Sequence, residues 1–205
     1  MSEQKQGFAQ YGLDERILQA LHLLGMDVPT SIQQQVLPQV LQKRDIIAQA
    51  QTGSGKTAAF AVPLCQLVDW EENKPQVMIL TPTRELAMQV QQEILDIGKL
   101  KRIKVPALYG KQSFRQQEKD LKQKSHMVVG TPGRVLDHLE RGTLFTGYIK
   151  YLVIDEADEM LHMGFIEQVE EILSYLPEDR VTLLFSATMP KEVVRLAEQY
   201  MREPL

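Results

Sequence analysis

Six short stretches of the chain are apolar almost without interruption: Asp45–Ala48, Val77–Leu80, Val105–Tyr109, Met127–Val129, Tyr151–Ile154 and Val181–Phe185. A strand with one face in water alternates apolar and polar residues, so runs that do not alternate must be covered on both faces. Between them lie helical patterns such as Arg84–Leu95 and Phe165–Leu173. Doubly covered strands alternating with helices define an α/β fold, with a mainly parallel sheet and helices on both faces. At 205 residues, 43% hydrophobic and 24% charged, the chain is long enough to bury one such core. No repeat, low-complexity tract or Gly/Ser linker interrupts it, so residues 1–205 are expected to form a single domain.

Parallel strands point their carboxyl ends to one edge, where the crossover helices leave crevices and where function collects. The polar clusters Gln51–Gly55, Thr81–Arg84, Gly130–Arg134, Asp155–Asp158 and Ser186–Thr188 each follow an apolar run and fall at that edge. The first belongs to Ala50-Gln51-Thr52-Gly53-Ser54-Gly55-Lys56-Thr57, in which a strand, a glycine loop and Lys-Thr lead into a helix. These are the parts of a phosphate-binding loop. Backbone N–H groups and the helix N-terminus cradle an anion, glycines let the chain curl around it, lysine adds charge and the threonine hydroxyl serves magnesium. Ala50 stands where the full pattern has its first glycine. An ordinary strand-to-helix turn at Gly53-Ser54-Gly55 is the competing reading. Pro63 is expected to bend or shorten the helix that follows.

Asp155 and Glu156 end the run Tyr151–Ile154, which brings two acids out at the same edge. The first acid after such a strand is where a nucleotide-bound magnesium is held, so Asp155 joins Thr57 as a metal candidate. Glu156 can polarise an attacking water as a general base. Capping of the next helix is the alternative for acids in this place. The net charge of −4 excludes a general polycation, so any polyanion site is local. Lys99, Lys101, Arg102, Lys104, Lys111, Arg115, Lys119, Lys122 and Lys124 face only Glu118 and Asp120, and by themselves read as a solvated helix face. Cys65, between Leu64 and Leu67, reads as a small core residue, and His22, His126, His138 and His162, without metal-ligand spacing, as structural. No apolar run approaches the ~20 residues of a membrane span and no hydrophobic leader opens the chain, so a soluble cytoplasmic protein without membrane association is expected.

With Asp155-Glu156-Ala157-Asp158, the loop at 50–57 and Ser186-Ala187-Thr188, the chain resembles the first RecA-like domain of DEAD-box ATP-dependent RNA helicases. Gly25–Gln33 is similar to the family's adenine-reading Q motif, a region covering 8–33 here, and Phe8 lies the expected distance upstream to stack on the base. Pro82–Gln89 and Thr131–Arg134 resemble its RNA-contacting segments. The likeness runs from Phe8 past Thr188, nearly the whole chain, and several motifs in order are more specific than any one of them.

The resemblance implies a RecA-like P-loop domain that binds ATP and Mg2+. Gln33 would hydrogen-bond the N6/N7 edge of adenine, with Pro29 and Thr30 beside it. Gln51, Thr52, Gly53, Ser54, Gly55, Lys56 and Thr57 would hold the phosphates, and Thr57 and Asp155 the metal. Lys56, Asp155, Glu156, Ser186 and Thr188 would act in catalysis, with Asp158 and the Ser186/Thr188 pair linking the nucleotide to RNA-driven closure. Pro82, Thr83, Arg84, Gly110, Thr131, Gly133 and Arg134 would contact the sugar–phosphate backbone of one RNA strand, which makes binding independent of sequence. Without the resemblance, Gln33 reads as a surface glutamine, Arg84 and Arg134 as helix-start charges, and Ser186–Thr188 as a capped turn. Two positions depart from the family. Gly110-Lys111 replaces a Gly-Gly pair, and Met26 an aromatic residue.

A partner domain is implied as well. The family's second RecA-like domain, which brings arginines to the ATP, would follow Leu205, and an arginine finger is worth roughly 10³–10⁵ in rate. This chain alone is therefore expected to bind nucleotide, hydrolyse it slowly and unwind nothing. It would be part of a monomeric enzyme that separates RNA duplexes locally or remodels RNA–protein complexes by domain closure. Similarity at Leu108–Phe114 and Ser125–Leu144 points to the bacterial branch acting on ribosomal RNA. A stand-alone nucleotide-binding regulatory module and a DNA motor are the competing readings.

Overall fold

The computed structural model describes residues 7–205. Six strands, β1 Ile46–Gln49, β2 Val77–Leu80, β3 Ala107–Leu108, β4 Met127–Gly130, β5 Tyr151–Ile154 and β6 Val181–Ser186, form one sheet in the order β1-β6-β5-β2-β4-β3. Every pairing is parallel. Each strand lies where an apolar run was expected, and the largest difference is at β3, where only two residues of Val105–Tyr109 pair. That strand is an edge with β4 as its one neighbour, and Pro106 has no N–H to give a ladder.

The helices are α1 Glu15–Leu23, α2 Ser31–Leu41, α3 Lys56–Leu67, α4 Arg84–Ile97, α5 Phe114–Lys122, α6 Pro132–Glu140, α7 Ala157–His162, α8 Ile166–Ser174 and α9 Lys191–Tyr200. Two apolar cores, one on each face, explain why the strands do not alternate in polarity. Val77, Ile79, Met127, Val129, Val153 and Leu183 join α1–α4 in one core; Met78, Leu80, Val128, Leu152, Ile154 and Leu184 join α6–α9 in the other. Alternate side chains leave opposite faces of a strand, so both parities must be apolar when both faces are covered.

Helix α3, which starts at the glycine loop, runs through Pro63 to Leu67 and is not cut short there. Ala58 to Cys65 are all buried. That packing outweighs the ~3 kcal/mol a proline costs inside a helix. Phe60 of α3 meets Phe185 of β6 with ring centroids 5.3 Å apart, tying the helix behind the loop to the strand that ends at Ser186. Cys65 is fully buried and burial pushes its thiol up to about 12, which removes it as a nucleophile. Lys101, in the basic run, is not on a solvated face. It is buried, and its ammonium donates to the Cys65 carbonyl at 2.7 Å. No helix among the described residues is long and apolar enough to cross a membrane.

Candidate functional site

Because all six strands are parallel, the loops that follow them share one edge. The strand order then divides that edge. The loops after β1, β6 and β5, carrying 50–57, Ser186–Thr188 and Asp155–Asp158, are neighbours on one half; those after β2, β4 and β3 occupy the other.

On the first half Lys56, at the start of α3, reaches Asp155, at the end of β5. The ammonium Nζ lies 2.7 Å from Asp155 Oδ1 and 3.7 Å from Glu156 Oε1. Asp155 is fully buried, and burial, only partly offset by Lys56, raises its pKa above the ordinary carboxylate range. Its Oδ2 is buried without a hydrogen-bond partner among the described residues. A buried hard oxygen left unpaired beside a phosphate-type loop fits a divalent cation, which takes one or two carboxylates and completes its shell with phosphate and water. Glu156 stands in the left-handed region at φ 54°, a conformation that costs a non-glycine residue roughly 1–2 kcal/mol. Burial raises its pKa too, the charge of Lys56 opposing and that of Asp155 adding to the shift. A cavity of about 240 Å³ beside these groups is lined by Thr52, Lys56, Glu156, Asp158 and Ala187, among others.

The loop is clamped to the start of α2. Gly55 has φ 81°, and a Cβ there would stand 2.8 Å from Gln33 Nε2, so glycine is required by both conformation and approach. Thr30 Oγ1 donates to the Ser54 carbonyl at 3.2 Å and Gln33 Nε2 to that of Gly55 at 3.1 Å, while Gln33 Oε1 accepts from the Thr30 N–H at 2.9 Å. Gln33 is therefore no surface residue; it is 1% exposed. Its amide keeps one N–H and one lone pair unused, but must be uncovered before a base can reach it. Pro29 is buried and directly precedes Thr30. Phe8 is 3% exposed and packs within the core, so its ring offers no open face for stacking.

Asp158 joins two loops. Its Oδ2 accepts from the Thr188 N–H at 3.0 Å and hydroxyl at 2.8 Å, and its N–H donates to Ser186 Oγ at 3.1 Å. Burial alone would raise this carboxyl, but the bonds from Thr188, Ser186 and Glu159 hold it below its usual value. Ser186–Thr188 is thus tied to the acidic loop, as a merely capped turn would not be.

On the second half, Thr83 caps α4 by accepting the Leu86 N–H at 3.2 Å, next to buried Pro82. The Arg84 guanidinium sits 5.1 Å from the Tyr109 ring centroid. Gly110 and Lys111 are exposed after β3, and Lys111 adopts φ 61°, the conformation a second glycine would take without strain. Thr131 and Gly133 stand at the start of α6. Arg134 Nη1 donates to the Gln112 carbonyl at 2.9 Å and to Gln117 Oε1 at 3.1 Å. Gln117, fully buried, was not singled out from the sequence. Its Nε2 donates to the Tyr109 carbonyl at 2.9 Å, which orients the amide so that Oε1 accepts from Arg134 and from His138 Nε2 at 3.0 Å. Burial, then the charge of Arg134, lowers His138 to about 4, so the ring is neutral at pH 7 and its Nδ1 pairs with the Thr143 hydroxyl.

Residues 30–196 match the DEAD/DEAH box helicase family. The ATP-dependent RNA helicase DbpA of Bacillus subtilis (strain 168) is 58% identical over 96% of this chain and 41% of its own length. The DEAD-box ATP-dependent RNA helicase CshA of Geobacillus kaustophilus (strain HTA426) is 48% identical over 96% of this chain and 42% of its own length. The chain thus spans about two-fifths of these curated relatives. Among solved structures, a DEAD box protein from Methanococcus jannaschii superposes with a TM-score of 0.94 at 48% identity, covering 97% of this chain and 55% of that one. A hypothetical ATP-dependent RNA helicase from Sulfolobus tokodaii gives a TM-score of 0.87 at 36% identity, covering 94% and 56%. With the family match extending over most of its residues, and the acidic and phosphate-type loops adjoining at one sheet edge, the chain belongs to the DEAD/DEAH box helicase family.

Proposed function

We propose that this chain is the ATP-binding domain of an ATP-dependent RNA helicase, with nucleotide on one half of the sheet edge and RNA on the other. The observation that carries the reading is the 2.7 Å approach of Lys56 to Asp155 across about a hundred residues of sequence. Gln51–Thr57 hold the phosphates, with Lys56 leaving Asp155 for the β- and γ-phosphates. Thr57 and Asp155 would hold Mg2+, which supplies charge neutralisation at the phosphates. Glu156 takes a proton from the attacking water. Pro82, Thr83, Arg84, Gly110, Thr131, Gly133 and Arg134 bind the backbone of a single strand, without reading its bases. The bonds from Asp158 to Ser186 and Thr188 pass the state of the acidic loop to the last strand, and a second RecA-like domain of the full-length protein closes over both ligands. RNA-stimulated phosphate release by the full-length protein, with DNA as the control strand, tests this; equal stimulation by both would reject the RNA assignment.

In this reading Gln33 exchanges its bond to Gly55 for adenine. Gln33→Ala is then expected to reduce the preference for ATP over GTP by about tenfold, the worth of one buried polar contact. Competition between labelled ATP and GTP checks it, and intact discrimination would place base reading elsewhere. Gln117→Leu is expected to weaken single-stranded RNA binding roughly three- to tenfold by releasing Arg134, with nucleotide affinity unchanged. Filter binding of RNA, beside a nucleotide titration of the same variant, separates that from general unfolding.

A further inference from the structure

The opposite edge of the sheet holds a second built cavity. The segments entering β1, β5 and β6 meet there around about 460 Å³, a volume within the roughly 300–1,000 Å³ of small-molecule sites. Lys43, Lys150, Arg180 and Arg202 line it, and among the lining residues Asp179 is the one acid. Arg180 is 8% exposed. Its Nη1 donates to the Pro177 carbonyl at 3.0 Å and its Nη2 to that of Tyr200 at 3.4 Å. Its Nε is buried with no hydrogen-bond partner among the described residues.

The charges of Asp45 and Glu178 favour this guanidinium, but neither carboxylate bonds to it. Asp45 accepts the N–H groups of Thr182 at 2.9 Å and Arg202 at 2.7 Å. Asp179 lies 3.3 Å from Arg202 with its side chain 99% exposed, and Glu178 is exposed outside the lining. A buried cation whose hydrogen bonds go only to carbonyls, with the Nε donor unused and a carboxylate acting on it only at a distance, is completed by an anion that bonds it directly. We propose that this cavity binds a phosphate group, free or on an RNA strand, through Arg180, Lys43, Lys150 and Arg202. Four cations against one carboxylate favour a multivalent anion over a single carboxylate, and arginine with its fixed fork and lysine with its point charge both suit phosphate. Tyr148, 46% exposed on the lining, gives a ring face on which an attached base can stack. Apart from Arg202, which follows α9, the residues that form the site lie where the chain enters β1, β5 and β6, the strands that end in the nucleotide half of the opposite edge.

The test removes the phosphate loop's contribution first. In a Lys56→Ala/Asp155→Asn background, which removes both members of the buried pair and leaves Glu156 as the acid beside that loop, pyrophosphate is titrated by calorimetry. The titration is repeated after adding Lys43→Glu and Lys150→Glu, both at exposed positions that do not threaten folding. Saturable binding in the background, weakened at least tenfold by the two charge reversals, is the expected result. Displacement of pyrophosphate by a short single-stranded RNA would identify the strand as the source, and no displacement a free phosphate. Absence of saturable binding, binding unchanged by the reversals, or tighter binding of succinate than of pyrophosphate would each overturn the proposal.

Discussion

Lys56→Ala is expected to weaken ATP binding by at least tenfold and to destabilise the fold at the same time. Loss of a charged hydrogen-bond donor at the phosphates is worth about 1.5–3 kcal/mol, which corresponds to roughly ten- to a hundredfold in affinity. The second effect arises because Asp155 is buried and Lys56 is its ion-pair partner. Breaking a buried pair from one side costs about 3–5 kcal/mol, unless the stranded carboxylate takes up a proton. Burial already holds Asp155 above the ordinary carboxylate range, so its ionisation works against folding as pH rises through that range. Lys56 limits that loss; without it the loss grows, and the protein should melt lower at pH 7 than at pH 5 relative to wild type. Adding Asp155→Asn should restore the melting temperature and leave nucleotide affinity low. A fluorescent-nucleotide titration with thermal melts at both pH values checks this. Unchanged affinity in Lys56→Ala would undo the assignment of the phosphate loop.

Glu156→Gln should separate binding from chemistry. The amide has nearly the shape of the carboxylate and can hold the same left-handed backbone, so ATP affinity is expected to stay within about twofold. Turnover of the full-length protein should fall by roughly 10²–10⁴, the usual contribution of a positioned general base. The pH profile offers a second readout. Burial raises the Glu156 pKa, so the active, ionised form is lost as pH falls through a range above that of an ordinary glutamate. Wild-type turnover should show that acid limb and the variant should lack it. Near-normal turnover in Glu156→Gln would remove this residue as the base.

Much of the architecture was legible because it rests on local chemistry. Uninterrupted apolar runs located all six strands, and the glycines of the loop at 50–57 announced a turn that Gly53 and Gly55 make with φ 84° and 81°. Where reading by rule failed, packing was the cause. Pro63 sits inside a helix because the surrounding residues are buried, and Lys101 leaves the basic face for a carbonyl of α3. Gln117 carries no signal in a charged, polar helix, yet its amide orients Arg134 from a fully buried position. The resemblance assigns Gln33 and Phe8 to a nucleotide; here both are buried, the first bonded to Gly55 and the second in the core, so packing sets what each must leave to reach a base.

Periodicity, turn residues and motif order thus determined which segments become strands, that the sheet is parallel, and that every polar loop opens on one side of it. Which loops become neighbours was decided only by tertiary structure. The order β1-β6-β5-β2-β4-β3 groups the loop at 50–57 with those at 186–188 and 155–158 on one side and puts the arginine-bearing loops after β2 and β4 on the other, the first of them next to the acidic loop. A strand's own sequence specifies which faces must be buried, since that depends on its side chains. Its neighbours in the sheet depend on how two cores, one on each face, pack the connecting helices, and that requires the whole chain at once.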